Sequence, residues 1–199
     1  MDLNVNFNSK FIKLPLLLMF MSPLLMAVWQ FYKDMLGANS IEEITHITGE
    51  WALRLLLFTL AISPARKIFS INGLINLRRL FGVLCFFYVF CHLLIYAILD
   101  QWLDWPAIID DIKDRPYVTV GFAAFVLLIP LAITSTDSMQ RKLQGDWVKL
   151  HKLIYVISIL AILHFWWLVK ADLFEPIIYA SILAVLLGYR VFIRVSPVQ

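Results

Sequence analysis

Residues 80–99 read LFGVLCFFYVFCHLLIYAIL, an unbroken apolar run that decides the fold class. An α-helix needs about 20 predominantly apolar residues to cross the hydrocarbon core of a bilayer, and this run has that length. It contains no Asp, Glu, Lys or Arg, and its only basic residue is His92. We therefore predict a transmembrane helix that carries one histidine inside the membrane.

Similar apolar runs occur along the whole chain. Of its 199 residues, 61% are hydrophobic, whereas a soluble domain has about 45–50% apolar residues. The excess lies in runs that are long enough to span lipid. We predict an all-α integral membrane bundle of six transmembrane helices, forming a single domain over residues 1–199. The predicted spans are about 11–32, 46–63, 80–99, 117–134, 151–169 and 176–193.

The positive residues between these runs predict the orientation. Twelve Lys and Arg residues fall on one side and four on the other, which predicts that both termini lie in the cytoplasm. The segment 100–116 then faces outward. The twelve are Lys10, Lys13, Arg66, Lys67, Arg78, Arg79, Arg141, Lys142, Lys149, Lys152, Arg190 and Arg194, and the four are Lys33, Lys113, Arg115 and Lys170.

Arg54 is the remaining cation, and it lies about two turns inside the second predicted span. An arginine in lipid costs at least about 2.5 kcal/mol on insertion scales, so we expect it to face the bundle interior or the interface. Glu50 is the favoured partner because residues four apart are neighbours on a helix. A haem propionate is the alternative partner.

Two histidines lie at equal depth in the membrane. His92 follows Arg79 by thirteen residues, and His164 follows His151 by thirteen. Both are therefore about 20 Å beyond the cytoplasmic ends of their helices, which run in the same direction. Two imidazoles at one level can supply both axial ligands of a haem iron. Interhelical hydrogen bonding is the alternative role for such residues.

His151 and His46 have no matched histidine on another span. His151 is at the cytoplasmic start of the fifth span, where it could ligate a second haem, bond a propionate or flavin, or serve as an interfacial residue. Its helical phase differs from that of His164 by about 140°, and the third span offers Arg78 or Arg79 at its level. His46 begins the second span on the outer side, and we expect an interfacial structural role.

Several short motifs occur together in a specific order, and in this order they resemble one family. They are His46-x-Thr48-Gly49, Arg78-Arg79-Leu80-x-Gly82, His92 with Tyr96, Arg115-Pro116-Tyr117 with Thr119 and Gly121, Thr134-Ser135-Thr136, Met139-Gln140-Arg141-Lys142-Leu143, Trp147, Leu150-His151 with Tyr155, and His164. The chain resembles the ferric-reductase-like transmembrane family, and within it the haem-binding membrane subunits of bacterial methionine sulfoxide reductase systems.

The resemblance implies a b-type cytochrome with one or two haems b. Such a subunit relays electrons from a cytoplasmic flavin reductase, or from quinone, to a periplasmic molybdopterin methionine sulfoxide reductase that repairs oxidised proteins. It is an electron-transfer subunit rather than a stand-alone catalyst. His92 and His164 match the haem-ligating histidines, and His151 matches a third implicated histidine. FMN binding is implied by the resemblance alone.

A different class of function is a small transporter or proton channel whose histidines titrate without haem. That class favours acidic residues inside the spans and helices that are broken at the midplane. Apart from Glu50 and Arg54, the predicted spans lack charged residues in their interiors. A structural scaffold is a third class and needs no matched histidines. The chain has no basic block that would indicate a nucleic-acid partner.

Overall fold

The computed structural model describes residue 7, residues 9–169 and residues 171–195, with side chains of the last segment described as far as Phe192. Lys170 and the side chain of Arg194, both used to predict the orientation, lie outside the described residues. The described part is all-helical. Its elements are α1 (Lys10–Tyr32), α2 (Ser40–Ile68), a 3₁₀ turn (Asn72–Asn76), α3 (Leu77–Leu94), a π-helical segment (Ile95–Asp100), α4 (Trp105–Asp114), α5 (Pro116–Ile133), α6 (Asp137–Leu150), α7 (Leu153–Leu168) and α8 (Phe174–Val195).

Four helical stretches in the described part are long and apolar enough to cross a membrane. They are α1, the stretch Asn72–Asp100 that contains α3, α5, and residues Phe174–Phe192 of α8. The helices α6 and α7 are bent by 51° and count as a fifth span if they form one broken crossing. The chain is therefore a multi-pass membrane protein with four to five candidate spans.

The predicted number of six spans is not confirmed. The second predicted span lies within α2, which has 29 residues but is not among the candidates by length and composition. Helix α2 does not meet the hydropathy criterion because Glu50 and Arg54 interrupt its apolar part and lower its mean hydropathy.

Helix α2 also continues beyond the predicted end at Ser63-Pro64, as far as Ile68. A proline inside a helix has no N–H for the carbonyl four residues earlier, which for Pro64 is the carbonyl of Leu60. The guanidinium of Arg190 on α8 donates to that Leu60 oxygen at 2.6 Å. The carbonyl left unpaired by Pro64 thus has a partner from another helix, and α2 tolerates the proline.

Tyr88 of α3 anchors α1 through the backbone. Its side chain is fully buried, and its hydroxyl donates to the carbonyl of Phe20 at 2.7 Å and accepts from the N–H of Leu24 at 3.2 Å. In a regular α-helix the Phe20 carbonyl and the Leu24 N–H pair with each other. The hydroxyl therefore bridges one turn of α1 and fixes that helix against α3.

Two short helices lie between the predicted spans. Helix α4 lies in the predicted outer segment, and the Asp104 side chain caps its start by accepting from the Ala107 N–H at 3.2 Å. Helix α6 is capped by the Thr136 hydroxyl, which accepts from the Met139 N–H at 3.3 Å. Helix α6 is interrupted at Gln144, whose φ is 45°. Both helices lack a long apolar run, and the capping side chains stabilise them by accepting from a backbone N–H of the first turn.

Helix α2 packs most extensively against α3, and α5 packs most extensively against α7. Helix α3 also contacts α5, which joins the two pairs. His92 lies on α3 and His164 lies on α7, so each histidine belongs to one closely packed helix pair. This arrangement determines which backbone groups each imidazole meets.

Candidate functional site

The imidazole rings of His92 and His164 are neighbours inside the bundle, in an edge-on arrangement. Their centroids are 6.2 Å apart, and their planes form an angle of 86°. The two histidines that the sequence analysis placed at one depth are therefore neighbours in space. Their role as metal ligands stays a prediction.

The ring separation fits one metal ion between the two imidazoles. An imidazole nitrogen bonds a first-row transition metal at about 2.0 Å and lies roughly 1.1 Å from its ring centre, so two coaxial imidazoles have centroids roughly 6 Å apart. The measured 6.2 Å agrees with that value. Rotation about the metal–nitrogen axis leaves the centroid distance unchanged, so perpendicular rings are equally compatible with axial ligation. Two imidazoles at this separation would be able to hold a haem iron between them.

Both rings are held through the same nitrogen. Nδ1 of His92 is 3.0 Å from the carbonyl oxygen of Thr45 on α2. Nδ1 of His164 is 2.7 Å from the carbonyl oxygen of Tyr117 on α5. A carbonyl only accepts, so Nδ1 carries the hydrogen in each neutral ring. The lone pair is then on Nε2, which is the arrangement that metal-ligating histidines show when a backbone carbonyl orients them.

The two histidine environments are equivalent in sequence spacing. In each case the accepting carbonyl precedes the histidine by 47 residues. The hydroxyl of Thr48 adds one difference, because it lies 3.4 Å from Nδ1 of His92 while donating to carbonyls of its own helix. The site is therefore built from two similar halves, α2 with α3 and α5 with α7.

His151 is held in a separate cluster between α6 and α7. Its Nε2 is 3.1 Å from the hydroxyl of Thr134, and the Trp147 ring is stacked on it with centroids 3.9 Å apart. The indole N–H of Trp147 donates to the Thr134 carbonyl at 2.9 Å. Nε2 of His151 thus has a hydroxyl partner among the described residues, and the structure does not bring His151 next to His92 or His164.

His46 lies in the second turn of α2 rather than at its start. Its nearest charged partner is Glu42, with Nε2 4.0 Å from the carboxylate. His46 is the neighbour in sequence of Thr45, whose carbonyl holds His92. We retain an interfacial structural role for it as a prediction.

Arg54 is paired as the spacing predicted. Its guanidinium donates to Glu50 at 2.7 Å. The sequence did not indicate its other partners, which are the Tyr179 hydroxyl on α8 at 2.8 Å and the face of Trp51 at 5.0 Å from the ring centroid. The Glu50 carboxylate balances the charge of Arg54, and the Tyr179 hydroxyl and the Trp51 ring add two further contacts from the chain itself.

A polar network joins helix α4 to the site. Tyr96 donates to Asp111 of α4 at 3.0 Å, and Arg115 binds the other oxygen of that carboxylate at 3.1 Å. Arg115 also donates to the Tyr117 hydroxyl at 3.3 Å. Tyr117 is the residue whose carbonyl holds His164. Tyr117 thereby connects helix α4 to the histidine pair, because its hydroxyl contacts Arg115 and its carbonyl contacts His164.

Comparison with known proteins gives a consistent family. Residues 48–162 match the family described as "Ferric reductase like transmembrane component". The chain is 54% identical over 172 residues to the "Protein-methionine-sulfoxide reductase heme-binding subunit MsrQ" of Xanthomonas axonopodis pv. citri, covering 86% of this chain and 79% of that protein. The protein of the same name from Ralstonia nicotianae is 50% identical over 162 residues, covering 80% and 75%. The chain belongs to the MsrQ family.

No solved structure matches the chain. These relatives confirm the resemblance to the MsrQ family that the short motifs indicated. The motif residues Thr48, Gly49, Tyr117 and Gly121, whose purpose the sequence could not give, all surround the two MsrQ histidines described above. The two carbonyl–histidine pairs share a spacing of 47 residues. This repeat is recognised only once the pairs are known, so the sequence alone did not indicate the carbonyl partners.

Proposed function

We propose that this chain binds haem b between His92 and His164 and relays electrons across the bacterial inner membrane to a methionine sulfoxide reductase catalytic subunit. The relatives' names supply the haem and the reductase system. The observation that carries the proposal for this chain is the 6.2 Å separation of two imidazoles whose Nδ1 atoms are both bonded to backbone carbonyls.

The residues of the chain have defined tasks in this proposal. His92 and His164 each present a neutral imidazole with a free lone pair on Nε2. The carbonyls of Thr45 and Tyr117 hold the tautomer and the ring orientation, and they make each imidazole a better electron donor. When bound, haem supplies a one-electron carrier whose iron cycles between two oxidation states. The surrounding apolar helices keep the ligands away from bulk water.

The charge bias of the sequence supplies the orientation of the chain in the membrane, and the family resemblance supplies the direction of electron transfer. We place both termini and the His151 cluster at the cytoplasmic face, and α4 at the periplasmic face beside the histidine pair. Electrons would arrive from a cytoplasmic flavin reductase or from quinone and leave near α4, where the molybdopterin catalytic subunit would dock. A second haem at His151 and binding of FMN remain part of the family-based prediction.

We also assign α2 to the membrane as a sixth span. Its 29 residues extend about 44 Å at 1.5 Å per residue, more than the roughly 30 Å hydrocarbon core. Glu50 and Arg54 form an ion pair whose net charge is close to zero. The pairing reduces the cost of burying both groups in the membrane. Reporters at the N-terminus and the C-terminus that are both active only in the cytoplasm would support an even number of spans with both termini inside. Activity only in the periplasm would contradict the topology.

The direct experiment is haem content of the purified protein and of three single variants. We expect a Soret band and sharp reduced α bands in the wild type. His92→Ala and His164→Ala should each lose low-spin haem, because either change removes one of two axial ligands. His46→Ala is the matched control and should keep it. A colourless wild type from haem-replete cells, or haem loss only in His46→Ala, would overturn the assignment.

A further inference from the structure

Two glycines lie directly against the two candidate haem ligands. A Cβ placed on Gly121 of α5 would be 2.6 Å from Nδ1 and 2.9 Å from Cε1 of His164. A Cβ placed on Gly49 of α2 would be 3.1 Å from Cε1 and 3.2 Å from Nδ1 of His92. At 2.6 Å the ring must move, whereas at 3.1 Å a shift of a few tenths of an ångström suffices.

The positions of these glycines relative to the accepting carbonyls are the same in both halves of the site. Gly49 follows Thr45 by four residues, and Gly121 follows Tyr117 by four. Because Cα–Cβ bonds in a helix tilt toward its N-terminus, a side chain covers the surface of the preceding turn. A side chain at either glycine would therefore cover the very carbonyl to which the imidazole donates.

We propose that Gly49 and Gly121 are positioning residues for haem ligation. Each leaves one helical carbonyl open from the side, so that an imidazole can donate Nδ1–H to it and would keep the lone pair of Nε2 for a haem iron. This inference rests on the proposed ligation by His92 and His164 and assigns these two family-motif glycines a task. It predicts a graded effect, strongest at Gly121, because the steric overlap is graded in the same order.

The test is a series of glycine-to-alanine variants of the full-length protein. Gly121→Ala should reduce haem retention on the order of tenfold, the usual lower range for loss of an orienting partner of a metal ligand. Gly49→Ala should retain more haem and show a shifted midpoint potential and altered electron paramagnetic resonance of the ferric form. These spectroscopic readouts report ligand geometry, which a merely structural role would not change.

The matched controls are Gly82→Ala and Gly188→Ala. Gly82 is on α3, the helix of His92, and its Cβ would meet only Thr59 Cγ2 at 3.9 Å. At Gly188 a Cβ would meet nothing within 4 Å. Both controls should keep the haem content, potential and resonance spectrum of the wild type. Circular dichroism of each variant reports whether the helices form.

The outcomes separate this inference from the proposed function. A wild type without low-spin haem would remove the haem assignment itself. Normal haem in the wild type with an unchanged spectrum and potential in both Gly121→Ala and Gly49→Ala would overturn the positioning role alone. Equal losses in the control variants would also overturn it. If Gly121→Ala fails to fold, the milder Gly49→Ala still decides the result, because its predicted spectral change requires only a small ring shift.

Discussion

The imidazole planes of His92 and His164 are nearly perpendicular, at 86°, with ring centroids 6.2 Å apart. The Nδ1 hydrogen bonds to Thr45 and Tyr117 fix both ring orientations, so the angle is a property of the helix packing. The relative orientation of axial imidazoles affects the electronic structure of a low-spin ferric haem. The histidine pair therefore has a measurable signature beyond haem content.

We predict that the ferric protein gives a low-spin electron paramagnetic resonance signal with widely spread g values. Nearly perpendicular axial imidazoles leave the two iron orbitals that they overlap close in energy, whereas parallel rings separate them and give a rhombic signal. The measurement is a low-temperature spectrum of the oxidised wild type. A purely rhombic bis-histidine signal would contradict the ring orientation found here.

His151→Ala should differ from both axial-ligand variants. His151 is bonded to Thr134 and stacked on Trp147, about 20 Å along the helix from His164 by the rise of 1.5 Å per residue. We expect the haem between His92 and His164 to keep its low-spin spectrum in this variant. Reduction from the cytoplasmic side should slow, or a second haem component should disappear. Loss of all low-spin haem would instead show that His151 supports the His92–His164 site.

Arg190→Met should destabilise the protein, by about 1–3 kcal/mol, because it leaves the Leu60 carbonyl without its donor. The companion change Pro64→Ala should suppress most of that loss, since alanine restores a backbone N–H to the same carbonyl. Thermal unfolding in detergent of the wild type, both single variants and the double variant forms a double-mutant cycle. Strictly additive effects would contradict the coupling between Arg190 and Pro64.

Tyr88→Phe should loosen α1 at a cost of about 1 kcal/mol in unfolding free energy. The cost is modest because the Phe20 carbonyl and Leu24 N–H can pair with each other once the hydroxyl is gone. Haem content should be unchanged, since Tyr88 does not contact either candidate ligand through a described hydrogen bond. The measurement is thermal unfolding together with proteolysis of the N-terminal segment. Unchanged stability and protection would remove the proposed anchoring role.

Much of the architecture was predictable because it depends on local composition. Apolar run length predicted six spans. Four of them correspond to helices that meet the spanning criterion, and a fifth does so if α6 and α7 form one bent crossing. The Glu50–Arg54 pair followed from a spacing of four residues on one helix. The continuation of α2 through Pro64 was missed, because it depends on a donor 130 residues away from Leu60.

The candidate site was predictable in part. Equal distances from the predicted cytoplasmic ends of their spans placed His92 and His164 at one depth, because the rise per residue of a helix is constant. Their acceptors could not be predicted, because sequence spacing does not tell which helix packs against which. The same limit applies to Tyr179 as a partner of Arg54 and to Trp147 as the partner stacked on His151.

The sequence by itself determined that this chain is a helical membrane protein of the MsrQ family, and it predicted two histidines at equal depth. Hydropathy, helical rise and motif order are properties of the chain read in one dimension, and no packing is needed to evaluate them. Only the tertiary structure decided that the centroids of the two histidine rings are 6.2 Å apart and that Gly49 and Gly121 lie against these rings. Those relationships depend on how α2 packs on α3 and α5 on α7, since a ring can reach a helical carbonyl only where two helices approach closely.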